Sequence, residues 1–281
     1  MTEENLTDRS FNKDNPGLYC LSLQLNQTGL TYCIKNTDQK KCVVFRKHSF
    51  DNVLLTRVLI EKTTRVLRED DLLKLEFQRV NFIVYTRQST LVPASLFTED
   101  AASDYLSFTM AGEMDDVVLY NFIKAFNVYN TFALHRDVCS LFSEHFKKPE
   151  FMSQCTAFLK YVGEQTNPHL PGTVYLGINA EFIDIGVISK GRLLYYNTFQ
   201  YANENDLLYY VTYVYRHHQL DPAIIPLIIS GEKGGKITYQ EVLKTYFPLA
   251  RTDETAGARF IAPGLGMQKT SKYINLLNSD C

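Results

Sequence analysis

Any chemistry in this chain has to come from a few short clusters. Ser230-Gly231-Glu232-Lys233-Gly234-Gly235 is glycine-rich and directly follows the apolar run Ile224 to Ile229. Glycines let backbone N–H groups converge on an anion, and the carboxyl end of a buried strand is where ligands of α/β sheets sit. No Lys-Ser or Lys-Thr closes a full GxxxxG there, so the stretch is not a P-loop. Its purely structural reading is a turn that leads into a helix. His217-His218 has the chemistry of a metal ligand, but beside Arg216 the pair also suits a cationic helix C-terminus. The six cysteines (Cys20, Cys33, Cys42, Cys139, Cys155 and Cys281) lie far apart, without a CxxC or a close histidine. That spacing argues against a zinc site or a disulfide framework. Cys20, Cys33 and Cys42 stand in apolar, strand-like text and read as small buried hydrophobes. Neither HExxH nor GxSxG occurs.

The elements that must position these residues are legible from periodicity. Leu18 to Leu25 reads as a strand, Asn26-Gln27-Thr28-Gly29 as a turn, and Leu30 to Ile34 and Cys42 to Phe45 as two further strands of an antiparallel meander. Val53, Leu54, Leu55, Val58, Leu59 and Ile60 form a helical stripe, and a second helical piece covers about 69–75. Val80 to Tyr85 is a buried strand that ends in a loop at Ser89-Thr90-Leu91-Val92-Pro93. Residues 115–134 read as two strands and 135–146 as a helix. GEQTNPHLPG, residues 163–172, is polar and turn-rich, the composition of a linker.

After that linker the same order begins again. Thr173 to Ile178, Phe182 to Ile188 and Leu193 to Thr198 read as strands, with a turn at Lys190-Gly191. Glu204 then opens a helix carrying Leu207, Leu208, Tyr210, Val211, Val214 and Tyr215. An ungapped shift of 153 residues places Leu23 on Leu176, Leu25 on Ile178, Asn26 on Asn179, Leu30 on Ile183 and Ile34 on Val187. It also sets Leu54-Leu55 on Leu207-Leu208, while the third strands drift by a residue or two. The inference is a duplicated strand-strand-strand-helix unit. The apolar run Ile224 to Ile229 suits a strand covered on both faces. Thr238 and Glu241 make a capping box for a helix that Pro248 stops, and residues 257–268 read as a loop and short helix on the sheet.

This order and these turns resemble the actin-like ATPase superfamily, and more closely a family of uncharacterised Bacteroides proteins assigned the same fold. The resemblance covers most of residues 18 to 270. It implies an α/β, two-lobed actin-like ATPase (ribonuclease H-like) fold. In that superfamily each lobe opens with a hairpin whose glycine-rich turn wraps phosphates, and an acidic residue ending the first strand positions a magnesium-bound water. Carried onto this sequence, the first acidic position falls on Gln24, and only Thr28 and Gly29 keep the turn's pattern. The second falls on Gly177, and the small residues of the turn fall on Asn179, Ala180 and Glu181. Asp184-Ile185-Gly186-Val187-Ile188 with Lys190-Gly191-Arg192-Leu193 is the part most similar to the family. Thr28, Gly29, Asn179, Glu181 and Asp184 are thus the phosphate-side candidates. Gly231, Gly234 and Gly235 resemble the adenosine-side loop.

Composition narrows the function classes. Twenty-nine Lys and Arg against 31 Asp and Glu leave a formal charge of −2, which argues against general nucleic-acid binding. The N-terminal residues have no apolar stretch of a secretory signal, and the longest apolar runs are too short to span a membrane. The expectation is a cytoplasmic protein: a flexible arm over 1–17, an N-terminal lobe over 18–162, the linker over 163–172, and a C-terminal lobe over 173–281. Eighteen Tyr and 18 Phe, without Trp, suit interfaces as well as cores. Both carboxylates that ATP hydrolysis would use are absent from their places. The favoured reading is therefore a non-catalytic scaffold that acts through a protein partner or self-association and needs no cofactor. One alternative binds ATP with magnesium without turnover through Gly231, Gly234 and Gly235. Another is an active ATPase or small-molecule kinase using Glu181 and Asp184 as substitutes.

Overall fold

The computed structural model describes residues 4–51, 53, 55–109, 115–180, 182–231, 239–253, 257–267 and 270–279. The chain divides into two compact units. One comprises residues 1–157, 259–268 and 275–281, and the other residues 158–258 and 269–274.

The first unit contains β1 (Glu4–Thr7), β2 (Tyr19–Asn26), β3 (Gly29–Asn36), β4 (Lys41–Ser49), α1 (Thr56–Glu69), β5 (Arg79–Val84), β6 (Ser89–Pro93), α2 (Ala102–Ser107), β7 (Asp116–Ile123), β8 (Val128–His135), α3 (Arg136–His145) and β9 (Glu150–Ser153). Its main sheet has the order β1-β4-β3-β2-β5-β9, and β6-β8-β7 form a second, smaller sheet. β2 is buried on both faces and is the centre of the main sheet. β3 pairs with it antiparallel and β5 parallel.

The boundary falls inside α4 (Gln154–Gln165). The second unit then holds β10 (Thr173–Ile178), β11 (Phe182–Ser189), β12 (Arg192–Gln200), α5 (Glu204–His217), β13 (Leu227–Gly231), α6 (Tyr239–Tyr246) and β14 (Ala250–Thr252). The sheet order is β12-β11-β10-β13-β14. The side chains of Val174, Leu176, Ile178, Ile183, Ile185 and Val187 pack with Leu207, Val211, Val214 and Leu243 of the two helices as one core.

The two sheets share one plan. β4-β3-β2-β5-β9 and β12-β11-β10-β13-β14 run in the same order, with the same antiparallel and parallel steps. The inferred offset holds in the pairing itself. Leu25 faces Leu30 in the first hairpin as Ile178 faces Ile183 in the second, and Leu23 faces Tyr32 as Leu176 faces Ile185. The third strands drift as expected, with His48 opposite Leu30 but Phe199 opposite Ile183.

Several local expectations are corrected. Residues 4–7, read as part of a flexible arm, form β1 against β4, because pairing an open strand edge satisfies its backbone groups whatever the side chains are. Ser89–Pro93 is the edge strand β6 rather than a loop, with Pro93 at its end, where a missing N–H is tolerated. The helical stripe begins later than its apolar run. The Val53 N–H donates to the Gln27 carbonyl (3.0 Å), Leu55 is extended and 68% exposed, and α1 opens only at Thr56. The 153-residue alignment therefore breaks at Leu55. That residue precedes its helix, while Leu208 lies within α5. Residues 163–165, read as linker, are the last turn of α4. Residues 259–268 and 275–281, read as part of the C-terminal lobe, return to the first unit. There the Cys42 N–H donates to the Phe260 carbonyl (2.6 Å) and the Ala262 N–H to the Cys42 carbonyl (3.0 Å). Cys33 and Cys42 are free and buried, but Cys20 is disulfide-bonded; tertiary folding sets that proximity, and sequence spacing does not display it.

Candidate functional site: the two hairpin turns and the loop after β13

The turn between β2 and β3 is held by its own side chains. Asn26 Oδ1 accepts both the N–H of Thr28 (2.9 Å) and its hydroxyl (2.8 Å). The Thr28 carbonyl accepts from the Phe50 N–H at 2.7 Å. Gly29 has φ 153°, and a Cβ there would come within 2.1 Å of the His48 carbonyl oxygen. Close approach of β4 thus demands the glycine. Gln24, at the end of β2, is buried, and its Oε1 has no hydrogen-bond partner among the described residues.

The turn between β10 and β11 is satisfied more completely. The Asn179 N–H donates to the Phe182 carbonyl (3.0 Å), and the Asn179 carbonyl accepts from the Tyr201 hydroxyl (2.7 Å). Asp184 is fully buried on β11. Its Oδ2 accepts from Asn179 Nδ2 (3.0 Å), and its Oδ1 from the hydroxyls of Tyr196 (2.7 Å) and Thr198 (2.8 Å). A buried carboxylate is tolerated when donors surround it in this way. Burial pushes the Tyr201 phenol up, with Tyr239 adding to the shift.

Gly177 pairs with Asp184 on one side and with Ser230 on the other, so the three residues meet on one face of the sheet. That face is roofed from α4 by Phe158. A Cβ on Gly177 would lie 3.1 Å from its ring, and one on Gly186 3.3 Å. Gly231 closes β13 with φ 78°, and a Cβ there would sit 2.1 Å from the Ile178 carbonyl oxygen. Asn179, Asp184 and Gly231 are therefore gathered at one end of the second unit's sheet. Thr28 and Gly29 lie at the matching hairpin of the first unit. Glu181, Gly234 and Gly235 lie outside the described residues, as does Thr238 of the expected capping box.

A match to the family described as "Protein of unknown function (DUF3822)" covers residues 8–249. The chain belongs to this family. No curated protein matches it in sequence. Among solved structures, the DUF3822 chain resembles a Bacteroides thetaiotaomicron protein described as having an actin-like ATPase fold and unknown function. The TM-score is 0.79 at 24% identity, over 88% of this chain and 95% of that one. It also resembles the PilM–PilN type IV pilus biogenesis complex (TM-score 0.63, 10% identity, 94% and 98% covered). A third likeness is to the ethanolamine utilization protein EutJ from Carboxydothermus hydrogenoformans (TM-score 0.51, 8% identity, 92% and 88% covered). The fold of this DUF3822 member is accordingly the two-lobed actin-like ATPase fold, of the ribonuclease H-like kind.

Two features of the DUF3822 chain were not read from its sequence. Phe158 is one, because nothing about a phenylalanine before a linker marks it as the roof over a glycine on the next strand. The other is a hollow of about 570 Å³ in the first unit, lined by Arg46, His48, Lys62, Arg65 and Asp70 among others. In it Asp70 Oδ2 accepts from the Tyr32 hydroxyl (2.6 Å) and lies 3.2 Å from His48 Nε2. Burial opposes charge on Asp70, but hydrogen bonds from His48, Tyr32 and the Leu72 N–H prevail and hold its carboxyl below the usual range. Among the described residues no group of three or more His, Cys, Asp or Glu is placed to hold a metal ion, and no helix is long and apolar enough to cross a membrane.

Proposed function

We propose that this chain is a non-catalytic scaffold of the actin-like fold that works through protein contacts. One observation carries the reading: the position where the superfamily would place its second carboxylate is Gly177, and the ring of Phe158 occupies the space above it. At the matching place of the first unit stands Gln24, whose amide carries no charge. The residues therefore do not fit a magnesium-bound triphosphate, since an ion held through water needs a carboxylate. The turn groups that would meet phosphate are also engaged internally, Thr28 by Asn26 and Asn179 by Asp184. A neighbour in fold is described as part of a complex, PilM with PilN, which agrees with a fold used for assembly. Isothermal titration of the protein at tens of micromolar with ATP and magnesium tests the proposal. A flat trace up to millimolar ATP is expected, and saturable binding at micromolar affinity overturns it. The latter outcome would favour the second reading, nucleotide binding without turnover, which rests on the glycine-dependent approach of Gly231 to Ile178 at the carboxyl end of two parallel strands.

A further inference from the structure

We propose that β12 and α5 form a self-complementary face through which two copies of this chain pair, strand against strand, about a two-fold axis. The duplication supplies the first argument. β4 and β12 hold the same outer place in their sheets, but β4 carries β1 on its far side, paired antiparallel from Glu4–Lys47 to Thr7–Val44. Beyond β12 no strand stands among the described residues. The same unit is thus capped in one half and uncapped in the other, and an antiparallel strand is the kind of cap the plan accepts.

Charge supplies the second argument. β12 is nine residues long, Arg192-Leu-Leu-Tyr-Tyr-Asn-Thr-Phe-Gln200, with one charged side chain and no proline. Edge strands that must stay solitary are guarded by lysines, prolines or bulges. Here the guards are a bulge at Leu194 and the Asn197 side chain, which accepts the Thr198 N–H at 2.9 Å. Antiparallel pairing of β12 with its copy about the strand's middle sets Arg192 beside Gln200 and opposes no like charges.

α5 extends the face. Tyr210 stacks on Phe199 (ring centroids 4.5 Å apart) and His218 lies against Tyr195 (4.8 Å), so the helix flanks the strand. Its outer side carries a ladder of rings, Tyr209 on Tyr213 (6.5 Å) and Tyr213 on His217 (5.5 Å). Tyr209 is 64% and Tyr213 44% exposed, beside a hollow of about 580 Å³. Exposed aromatics of this kind are typical interface anchors. A two-fold axis normal to the sheet runs α5 antiparallel to its copy. On that outer side Asp206 of the first turn then faces the partner's basic last turn, Arg216 and His217. The opposed helix dipoles favour the same arrangement.

The inference rests on the scaffold reading and deepens it by naming a second copy as the partner. Sedimentation equilibrium of the full chain, from low to several hundred micromolar, should show a reversible monomer–dimer equilibrium. Y209E with Y213E should weaken it about tenfold or more, as should L194K on the strand, each with an unchanged thermal melt; tenfold corresponds to about 1.4 kcal/mol. A monomer at every concentration overturns the inference, as does a dimer that neither the tyrosine nor the L194K change weakens. Such a result leaves the scaffold reading standing, because the nucleotide titration decides that reading independently.

Discussion

Gly177 and Phe158 define each other. The ring of Phe158 packs over Gly177 and Gly186 on neighbouring strands, and at both places a Cβ would crowd it. Introducing a carboxylate with G177D would force that aromatic out of a close-packed site. Overpacking of this kind costs about 1–3 kcal/mol. The variant should therefore melt lower and still give a flat trace with ATP and magnesium; micromolar ATP binding by G177D would show that the roof is not an obstacle. Asp184 separates structure from chemistry in a different way. Its two oxygens take up Asn179, Tyr196 and Thr198, so D184A leaves partly buried donors unmatched on β12 and the turn. Unmatched buried groups cost about 1–3 kcal/mol, more where a charge is involved. Denaturant unfolding should show D184A destabilised by about 3 kcal/mol and D184N by less, since asparagine retains one acceptor. Equal stability of D184A and the parent chain would mean that these hydrogen bonds do not hold the hairpin.

Between residue and fold, the duplicated elements are most alike where the backbone is most buried and diverge at their edges. The order of strands along the chain and the offset between the two hairpins were legible because a period of two over buried strands leaves one pairing that keeps apolar residues inside. Leu23, Leu25 and Leu30 therefore found their counterparts at a fixed offset. The β4–α1 connection was not legible. Val53 to Leu55 reads as helix by apolar count, but the Gln27 carbonyl captures the Val53 N–H and draws the chain past the turn before α1 starts. Strand β6 was hidden for a similar reason, since its pairing with β8 is long-range while its text, Ser-Thr-Leu-Val-Pro, is weak. Of the candidate site, the turns were found, and the roof over them was not. The end of α1 offers a test at this scale. Asp70 caps the short 3₁₀ turn that follows by accepting the Leu72 N–H, and it joins that turn to Tyr32 on β3 and His48 on β4. Because its carboxyl is held below the usual 3.8, it stabilises the folded chain fully above that value, and the stabilisation is lost as pH falls through the lowered one. D70A should cost about 1–3 kcal/mol at pH 7. The gap between variant and parent, measured by denaturant titration, should narrow as the pH is taken below 4. A gap that stayed constant with pH would mean that the charge of Asp70 contributes nothing.

Over the whole chain, the second half is not simply a repeat of the first, because the first unit is completed by residues that follow the second. Residues 260–262 lie along β4 through Cys42, and segment 275–279 crosses the polar face of β2 and β3. There Lys35, almost wholly buried, donates from Nζ to the Ser279 carbonyl (2.5 Å) and to its hydroxyl (3.1 Å). The same hydroxyl donates to Ser22 Oγ at 2.7 Å, and Leu276 and Leu277 are fully buried beside it. Each hydrogen bond to the ammonium is worth about 1.5–3 kcal/mol, and each buried leucine about 1.5–3 kcal/mol. A chain ending at Ala258 keeps every strand of all three sheets but loses all of these contacts. If the closing segments were a late addition to two self-sufficient repeats, that truncation would melt like the parent. If they are part of the first unit's core, its melting temperature should fall by about 10 °C or more, since several kcal/mol are removed from a unit of this size. The substitution S279A, which spares the carbonyl but removes the hydroxyl, should fall between the two. Differential scanning calorimetry of the three chains distinguishes the cases, and an unchanged melt in the truncated chain would return the final residues to the status of an appendage.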